Sequence, residues 1–246
     1  MNRMLKDNVL VRKLVGIETS GSLNILFSDK TGTITKGKLK VDSFLSGSGT
    51  SYDNFHKLNN TRLGKLLRIS CMYNTGASVS RKNGKSVAIG GNTTERALLE
   101  FVMEDGVLQD PVQVVSSVPF SSVNKYSSAQ VRGAICGTLI KGAPELILPK
   151  CAACFDENGQ KRLFRSSFKL KTYMKKATQN AERLLAIAIS DSPMPRPSSG
   201  MTLVGIVRIK DEIRREAVQA IRQVNRAGVQ VVMITGDNKD TAFAIA

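Results

Sequence analysis

Short apolar runs that lead into an aspartate occur near both ends of the chain. The first, NILFSDKTGTIT, reaches Asp29, and the second, VQVVMITGDN, reaches Asp237. The second run follows the apolar segment MTLVGIVRIKD and the segment EIRREAVQAIRQVNRAG, in which apolar residues recur with a helical period before a glycine. This strand–helix–strand order predicts a parallel α/β unit whose final strand is buried.

The middle of the chain has a mixed pattern. Helical spacing predicts helices in FHKLNNTRLGKLLRISCMYN and in TTERALLEFVMEDG, and GAICGTLIKGAPELILPKC predicts a strand, a turn and a helix. A helix and then a strand are expected in RSSFKLKTYMKKATQNAERLLAIAIS, whereas GTITKGKLKVDSFLSGSGTSYDN predicts short strands and a Gly/Ser-rich loop. We therefore expect an inserted α+β domain at residues 40–207, between two parts of an α/β domain at 1–39 and 208–246.

The chain stops inside a helical pattern, KDTAFAIA, so the expected doubly wound α/β sheet is incomplete. No apolar run approaches the roughly 20 residues that cross a bilayer. A soluble chain is the resulting expectation.

The net charge of +16 raises the possibility of a nucleic-acid or anionic partner. The densest basic stretch, KRLFRSSFKLKTYMKK, has apolar spacings that predict an amphipathic helix with a basic outer face. No nucleic-acid-binding motif accompanies it, so we expect no nucleic-acid partner and interpret the basic residues as a solvated surface. Cys151 and Cys154 form a CxxC without a second nearby pair, which favours ordinary thiols in a turn over a zinc site.

The polar residues that follow the two apolar runs suggest one type of chemistry. Ligands of open α/β sheets bind beyond the carboxyl ends of the strands, where Asp29 and the segment Thr235–Asp237 are expected. A carboxylate can act as a nucleophile and form an aspartyl phosphate. Phosphoryl transfer needs positive charge and hydrogen-bond donors, which Lys30 and nearby backbone amides could supply, and Mg²⁺ prefers oxygen ligands.

Taken together, the motifs are similar to those of the P-type ATPases, ion pumps that form an aspartyl phosphate, and most closely to the calcium-pump type. SDKTGTIT resembles the phosphorylation signature of the family, and GNTTERALL, VPFSSVNKYSS, IKGAPE, ERLLAIA, GIVRIKDEIRREA and MITGDN resemble its later motifs in the same order. The resemblance covers nearly the whole chain. It implies a HAD-like phosphorylation domain, here incomplete, with a large inserted nucleotide-binding domain.

The resemblance also implies site residues and cofactors. Asp29 corresponds to the phosphorylated nucleophile and, with the carbonyl of Thr31, to a magnesium site, so that ATP and Mg²⁺ are the implied cofactors. The implied catalytic set is Asp29, Lys30, Thr31, Asp211, Arg214, Thr235, Gly236 and Asp237, with Asp211 and Arg214 at a hinge. The implied nucleotide-binding set is Glu95, Phe120, Lys125, Lys141, Gly142 and Arg183.

Several of these residues have a plain structural alternative. Glu95 follows Asn92 by three residues, which is also the spacing of a capping box. Phe120 could belong to the core, and Lys141 could be a solvated lysine at a strand end. Lys125 and Arg183 remain open between a ligand role and an ordinary surface role.

The expected function is that of the ATP-binding, aspartyl-phosphate-forming segment of a P-type cation-transporting ATPase of the calcium type. The segment would lie on the cytoplasmic side of a membrane, be monomeric, and depend on absent transmembrane helices for transport and membrane attachment. The later Gly-Asp-Gly-x-Asn-Asp motif of the family is absent from this sequence, which lowers the expected activity of the chain alone. The alternatives are a soluble HAD-like phosphatase or phosphotransferase, a non-catalytic nucleotide-binding remnant, and a basic nucleic-acid-binding module.

Overall fold

The chain forms two compact units in the computed structural model. The structure describes residues 13, 15–82, 84–103, 111–165, 168–180, 182–193, 196–235 and 242–243. The larger unit is formed mainly by Lys38–Asp211. The smaller unit contains the described residues up to Gly37 and those from Glu212 to Thr235. The observed division therefore falls after Gly37 and after Asp211.

The elements are numbered in chain order. The strands are β1 Ile25–Asp29, β2 Thr35–Ser46, β3 Ser51–Tyr52, β4 Ala77–Lys82, β5 Lys85–Gly90, β6 Val112–Val118, β7 Tyr126–Gly133, β8 Gly137–Gly142, β9 Cys151–Phe155, β10 Lys161–Leu163, β11 Arg183–Ser190, β12 Met201–Ile213 and β13 Gln230–Ile234. The α-helices are α1 Val15–Gly21, α2 Arg62–Tyr73, α3 Thr93–Val102, α4 Pro144–Ile147, α5 Phe168–Gln179 and α6 Arg215–Arg226. Short 3₁₀ turns occupy Phe55–Leu58 and Leu148–Lys150.

In the smaller unit, β1 and β13 form a parallel pair, with Ile25 opposite Gln230 and Asp29 opposite Ile234. Helix α6 precedes β13, and the chain turns at Gly228, whose φ of +83° suits a residue without a side chain. The sequence pattern suggested that β12 and β13 would be parallel neighbours, and this prediction was wrong, because β12 belongs to the other sheet.

Strand β13 is also less buried than expected, with its central residues half-buried and both ends exposed. In the described part of this unit β1 and β13 form a two-stranded sheet, so each strand has an open edge.

A nine-stranded, mainly antiparallel sheet forms the larger unit, with the order β10-β9-β12-β11-β8-β7-β6. Strand β2 pairs with β12, and β3 pairs with β2. Successive residues along β8 point to opposite faces, so that Leu139 belongs to one core cluster and Ile140 to the other. The same alternation separates Ile187 from Ala186 on β11.

Helices cover both faces of this sheet. On one face, α2 and α3 contribute Leu67 and Leu98, which are fully buried. On the other face, α4 and α5 contribute Ile147 and Leu170. The hairpin β4–β5 packs its Ala88 against Leu99 of α3 in a third, smaller cluster. In this mixed α/β architecture, the large sheet therefore has a hydrophobic core on each of its faces.

Several local predictions were confirmed, and others need correction. The helices α2, α3, α5 and α6 occur where helical spacing indicated them, and Pro144 begins α4. The segment expected to form short strands with a loop contains β2, a turn at residues 47–49 and the short strand β3, so the Gly/Ser-rich loop is confirmed. Strand β2 is longer than expected, because pairing with β12 extends it. The expected end of α3 near Gly106 lies outside the described residues; the helix ends at Val102.

The basic stretch and the CxxC also differ from the expectation. The basic stretch is not one helix, because Lys161–Leu163 pairs with β9 as strand β10 and the helix begins at Phe168. Cys151 and Cys154 lie in strand β9 and not in a turn. Searching the described residues for a helix of sufficient length and apolar character to cross a membrane finds none.

Candidate functional site

The carboxyl end of β1 presents Asp29 to solvent. Its strand partner is Ile234, so Thr235 follows at the adjacent strand end, where it is half-buried. The structure thus brings Asp29 and Thr235 to the same edge of the smaller sheet. Gly236 and Asp237, the other two residues of this candidate site, lie outside the described residues.

A tight turn, Lys30–Ile34, follows Asp29. Gly32 has a φ of +82°, which favours glycine at this position. The Thr35 hydroxyl donates to the carbonyl of Lys30 at 3.1 Å and accepts from the amide of Gly32 at 3.3 Å. Lys30 is only 5% exposed, whereas Thr31 is exposed, so these adjacent side chains lie in different environments.

Arg214 fixes this turn from the beginning of α6. Its Nε donates to the carbonyl of Thr35 at 3.1 Å, and its Nη2 donates to the carbonyl of Gly32 at 3.2 Å. Its backbone amide donates to the carbonyl of Ile34 at 2.9 Å. The sequence indicated Arg214 as a hinge residue. These three bonds show that it holds the loop after Asp29, a contact that no local pattern reveals.

Asp211 lies on the other side of the division between the units. It is half-buried near the end of β12, and the next residue, Glu212, forms an ion pair with Lys36.

In the larger unit, one end of the sheet collects most of the other candidate residues. Gly142, the last residue of β8, lies opposite Tyr126 of β7 and Ala186 of β11. Lys125 therefore lies just beyond the first residue of β7, and Arg183 lies at the corresponding end of β11, where it is exposed. Because β6 runs antiparallel to β7, Phe120 follows β6 at this same end.

Phe120 is 45% exposed, which excludes the alternative that it is a core residue. It precedes a turn in which the amide of Lys125 donates to the carbonyl of Ser121 at 2.8 Å. Lys125 has a φ of +57°, an uncommon value for a residue with a side chain. Its carbonyl accepts from the amide of Ala143 at 3.0 Å, so the turns after β6 and β8 are joined.

Gly142 permits this close approach. A Cβ at this position would lie 2.8 Å from the Lys125 carbonyl oxygen and 2.9 Å from Cβ of Tyr126. Both distances are below ordinary van der Waals contact, so any side chain here would separate the two turns.

Lys141 is buried, with 3% of its surface exposed. Its Nζ has no hydrogen-bond partner within the described residues. Burial lowers the pKa of the ammonium, while the attraction of Cys71 and Glu95 acts in the opposite direction. The alternative of a solvated lysine is therefore wrong: Lys141 points into the face of the sheet that α2 and α3 cover, as Leu139 does two residues earlier.

Glu95 forms the capping box that its spacing indicated. The Asn92 side chain accepts from the amide of Glu95 at 2.9 Å, and Oε2 of Glu95 accepts from the amide of Asn92 at 3.0 Å. Oε1 accepts from the amide of Gly76 at 3.2 Å. The capping contacts hold the carboxylate at the start of α3, where it interacts electrostatically with Lys141.

Two neighbours of Lys141 were not identified from the sequence. Cys71 on α2 is buried, and burial raises the pKa of its thiol to about 12, while the charge of Lys141 acts in the opposite direction. Asn74 is buried after the same helix, and its Nδ2 donates to the carbonyls of Leu139 at 3.1 Å and Ser127 at 3.3 Å. Both residues depend on tertiary contacts across the sheet, which spacing along the chain does not encode.

Within the described residues, no group of three or more His, Cys, Asp and Glu side chains is arranged to hold a metal. Asp29 contributes one carboxylate at the end of β1. A magnesium ion there would therefore depend on this carboxylate, on backbone carbonyls and on oxygen atoms from water or a phosphate ligand.

Comparison with known proteins indicates the family to which this chain belongs. Residues 62–216, more than half of the chain, match the family model described as "P-type ATPase, cytoplasmic domain N". The chain is 33% identical to calcium-transporting ATPase 12, plasma membrane-type, of Arabidopsis thaliana over 259 residues, covering 100% of this chain and 25% of that protein. It is 32% identical to calcium-transporting ATPase 1 of Bacillus cereus over 259 residues, covering 100% of this chain and 28% of that protein.

A similar match is made to plasma membrane calcium-transporting ATPase 1 of Mus musculus, at 30% identity over 280 residues, covering 100% of this chain and 22% of that protein. The chain spans about a quarter of the length of the curated relatives it matches. With the family model matched over more than half of its residues, the chain belongs to the P-type ATPase family and contains the cytoplasmic domain N of that family.

Proposed function

We propose that this chain is the ATP-binding and aspartate-phosphorylating part of a calcium-transporting P-type ATPase. The observation that carries the proposal is Lys141, a buried cation without a hydrogen-bond partner in the described chain. A buried charge of this kind lowers the stability of the fold unless a ligand or counterion compensates it. Buried ionisable groups with shifted pKa values are also typical of functional sites. The names of the three relatives supply the calcium-transporting part of the proposal.

An adenine nucleotide suits the end of the sheet at which Lys141 lies. The exposed ring of Phe120 offers a flat apolar face for stacking against a base. Lys125, Lys141 and Arg183 provide positive charge for the phosphates, and Gly142 allows the chain to pass close by. Glu95, held by its capping contacts, attracts the Lys141 ammonium electrostatically.

In the smaller unit, we assign Asp29 as the acceptor of the γ-phosphate. Its carboxylate oxygen attacks the γ-phosphorus, the bond between that phosphorus and the β,γ-bridging oxygen breaks, and ADP leaves with the bonding electron pair. In this scheme, free amides of the turn that follows Asp29 and the hydroxyl of Thr235, at the adjacent strand end, would donate to the transferred phosphate. Arg214 contributes by fixing this turn.

Mg²⁺ fits the oxygen donors of this turn. The Asp29 carboxylate and the Thr31 carbonyl would hold it, and the bound ion would neutralise phosphate charge during transfer. Gly236 and Asp237 complete the proposed phosphate side of this HAD-like domain. In the same scheme, the points where β2 and β12 pass from one unit to the other act as the hinges of domain closure, with Asp211 beside the second of them.

Titration of the whole chain with ATP tests the proposal directly. We expect saturable binding by calorimetry that Phe120→Ala and Lys141→Met each weaken at least tenfold, the loss of roughly one stacking contact or one charge-assisted contact. Lys176→Met, which removes an exposed lysine of α5, serves as the matched control and should bind as the parent does. A folded parent chain that does not bind ATP would contradict the proposal.

The same experiment separates the alternatives. A soluble phosphatase would release phosphate from a small phosphomonoester without measurable affinity for ATP. A basic nucleic-acid-binding module would bind single strands with steep salt dependence, and Phe120→Ala and Lys176→Met would then be equivalent. For the acceptor, incubation with radiolabelled ATP and Mg²⁺ should label the chain with an alkali-sensitive phosphate that Asp29→Asn abolishes.

A further inference from the structure

A buried ion pair lies next to Arg183, one of the proposed ATP ligands. Glu182, the residue before Arg183, places its Oε2 3.0 Å from Nε of Arg208 on β12. The Glu182 side chain is only 7% exposed, and its Oε2 has no hydrogen-bond donor within the described residues. The charge of Arg208 therefore compensates this buried carboxylate.

Arg208 is itself fixed by two other elements of the larger unit. Its guanidinium forms an ion pair with Asp42 on β2, to which its Nε donates at 2.9 Å. It also lies 5.2 Å from the centre of the Tyr173 ring on α5, within the range of a cation–π contact. The Tyr173 hydroxyl donates in turn to the carbonyl of Ser43 at 3.2 Å. Glu182 is thus tied to a guanidinium that cannot move freely.

The ion pair and Arg183 belong to opposite faces of the large sheet. Arg208 lies opposite Leu184 in register, and Leu184 packs against the core on the side of α4 and α5. Arg183 is one residue earlier and therefore faces the other side, as Ile187 does. Lys141 lies opposite Ile187, so Arg183 and Lys141 share a face. They are four residues apart along β11, or about 13 Å.

Arg183 has no side-chain contact that would hold it. It is exposed, and within the described residues its guanidinium forms no ion pair and no hydrogen bond. Its position therefore depends on the backbone, which pairs with Ile209 of β12 and follows Glu182. The amide of Glu182 donates to the carbonyl of Ala177 at 2.9 Å. Because strand ends fray readily, the contacts of Glu182 decide how firmly Arg183 is held.

We propose that Glu182 and Arg208 are positioning residues for the phosphate contact of Arg183. This role rests on the proposed function, in which Arg183 supplies positive charge to the phosphates of ATP. The ion pair anchors the beginning of β11 on the α5 side and presents Arg183 on the opposite side in one orientation. Such preorganisation reduces the entropy that the side chain loses when the nucleotide binds. The preference for a triphosphate over an uncharged nucleoside then depends on a residue pair that does not contact the ligand.

Neither stability nor charge explains this pair as well as positioning does. The desolvation of a buried ion pair offsets much of its attraction, so the pair contributes little net stability compared with apolar residues of similar size. A negative charge one residue from Arg183 would also weaken the attraction of that residue for phosphate. A fixed orientation of the strand end is the contribution that remains.

The sign of one substitution separates orientation from charge. Glu182→Ala removes a negative charge beside the proposed phosphate contact, so electrostatic attraction alone would strengthen ATP binding. Positioning requires the reverse. Calorimetry of the whole chain should show an ATP affinity about tenfold weaker, the effect of losing roughly one hydrogen bond to a charged group. The affinity for adenosine, which has no phosphate, should stay unchanged in an NMR titration.

Glu157→Ala is the matched control. It removes the same charge, from an exposed residue of the larger unit, together with a side-chain contact to Tyr52. We expect it to change neither affinity. Glu182→Gln keeps the size of the side chain and should weaken ATP binding in the same direction, which preserves the test if Glu182→Ala does not fold. Circular dichroism of each variant checks that the fold is retained.

A double-mutant cycle shows whether Glu182 acts through Arg183. Arg183→Met alone should weaken ATP binding at least tenfold, through the loss of its charge-assisted contact. Adding Glu182→Ala should then cause no further loss, because no guanidinium remains to be oriented. Arg208→Met should reproduce the effect of Glu182→Ala, with weaker ATP binding and unchanged adenosine binding.

Three outcomes would overturn the positioning role while leaving the ATP site intact. Equal losses for ATP and adenosine would make the pair a purely structural contact. Unchanged or stronger ATP binding by Glu182→Ala would leave only the effect of charge. Additive losses in the double variant would show that Glu182 acts independently of Arg183. Failure of the folded parent chain to bind ATP is a different result, because it would refute the proposed function and the positioning role together.

Discussion

Replacing Lys141 by Met should stabilise the fold while it weakens the proposed ATP binding at least tenfold. The side chain of methionine is similar in length to the methylene stem of lysine and fills the same space between β8 and the covering helices without a charge. The ammonium of the parent is buried with no hydrogen-bond partner among the described residues. An unsatisfied buried polar group costs about 1–3 kcal/mol, and the attraction of Glu95 offsets part of this, so we expect a gain of about 1–2 kcal/mol at pH 7.

The gain depends on pH in a defined direction. Burial lowers the pKa of the Lys141 ammonium below its ordinary value of 10.5. At pH values between the lowered pKa of Lys141 in the folded chain and its ordinary pKa, the unfolded chain binds more protons at this position than the folded chain. The stability of the parent therefore rises with pH in this range. The methionine variant lacks this dependence. Its advantage should therefore be largest at low pH and shrink as the pH approaches 10.5.

Urea unfolding at pH 6, 7.5 and 9.5 measures both effects. Because the chain has two compact units, hydrogen exchange in β7 and β8 is followed, so that the stability of the larger unit is measured separately. A gain of about 1–2 kcal/mol corresponds to a midpoint shift of roughly 0.5–1 M urea. A variant less stable than the parent at pH 7.5, or a difference that is constant across the three pH values, would refute the argument, since the Lys141 charge would then be compensated within the fold.

Four other changes have effects that follow from the contacts. Asn92→Ala removes the capping box of α3 and should cost about 1 kcal/mol in urea unfolding of the larger unit. Gly205→Ala would bring a Cβ to 2.4 Å from the carbonyl oxygen of Leu45, and we expect a loss of about 1–3 kcal/mol and a lower Tm. Arg214→Met should alter the amide NMR signals of the turn after β1 and reduce phosphate labelling, with ATP affinity unchanged; a weaker affinity would contradict the assigned role. A thiol reagent should modify one cysteine rapidly in the native chain, exposed Cys136, because burial raises the pKa of the other three thiols, and Cys136→Ser should abolish this fast phase.

Elements of this fold with a strong local signal could be predicted from the sequence. The apolar run before Asp29, the helical period of α6 and the Asn92–Glu95 spacing each depend on residues close in the chain, and all three occur as expected. The pairing of β13 with β1 instead of β12 depends on contacts across the whole chain. Apolar periodicity specifies which face is buried but not which strand is the neighbour.

The same distinction applies to the candidate site. The motifs indicated Lys141 and Arg214, but neither the burial of the lysine nor the bonds of the arginine to the Gly32–Thr35 turn could be derived from spacing. Strand β2 ends at the expected Gly/Ser-rich turn, but its length and the burial of Ser43 and Ser46 depend on pairing with β12. In each case tertiary contact outweighs local preference.

The pairing of β1 with β13 has a consequence for the order of folding. Ile25 finds its partner at Gln230, so this contact closes a loop that includes the entire larger unit. Closing so long a flexible chain is entropically unfavourable and slow. Strands β2 and β12, which lead into and out of the larger unit, pair with each other, and a folded larger unit therefore shortens the effective loop. During synthesis the larger unit should fold first, and Asp29, the proposed acceptor, should receive its neighbouring strand last.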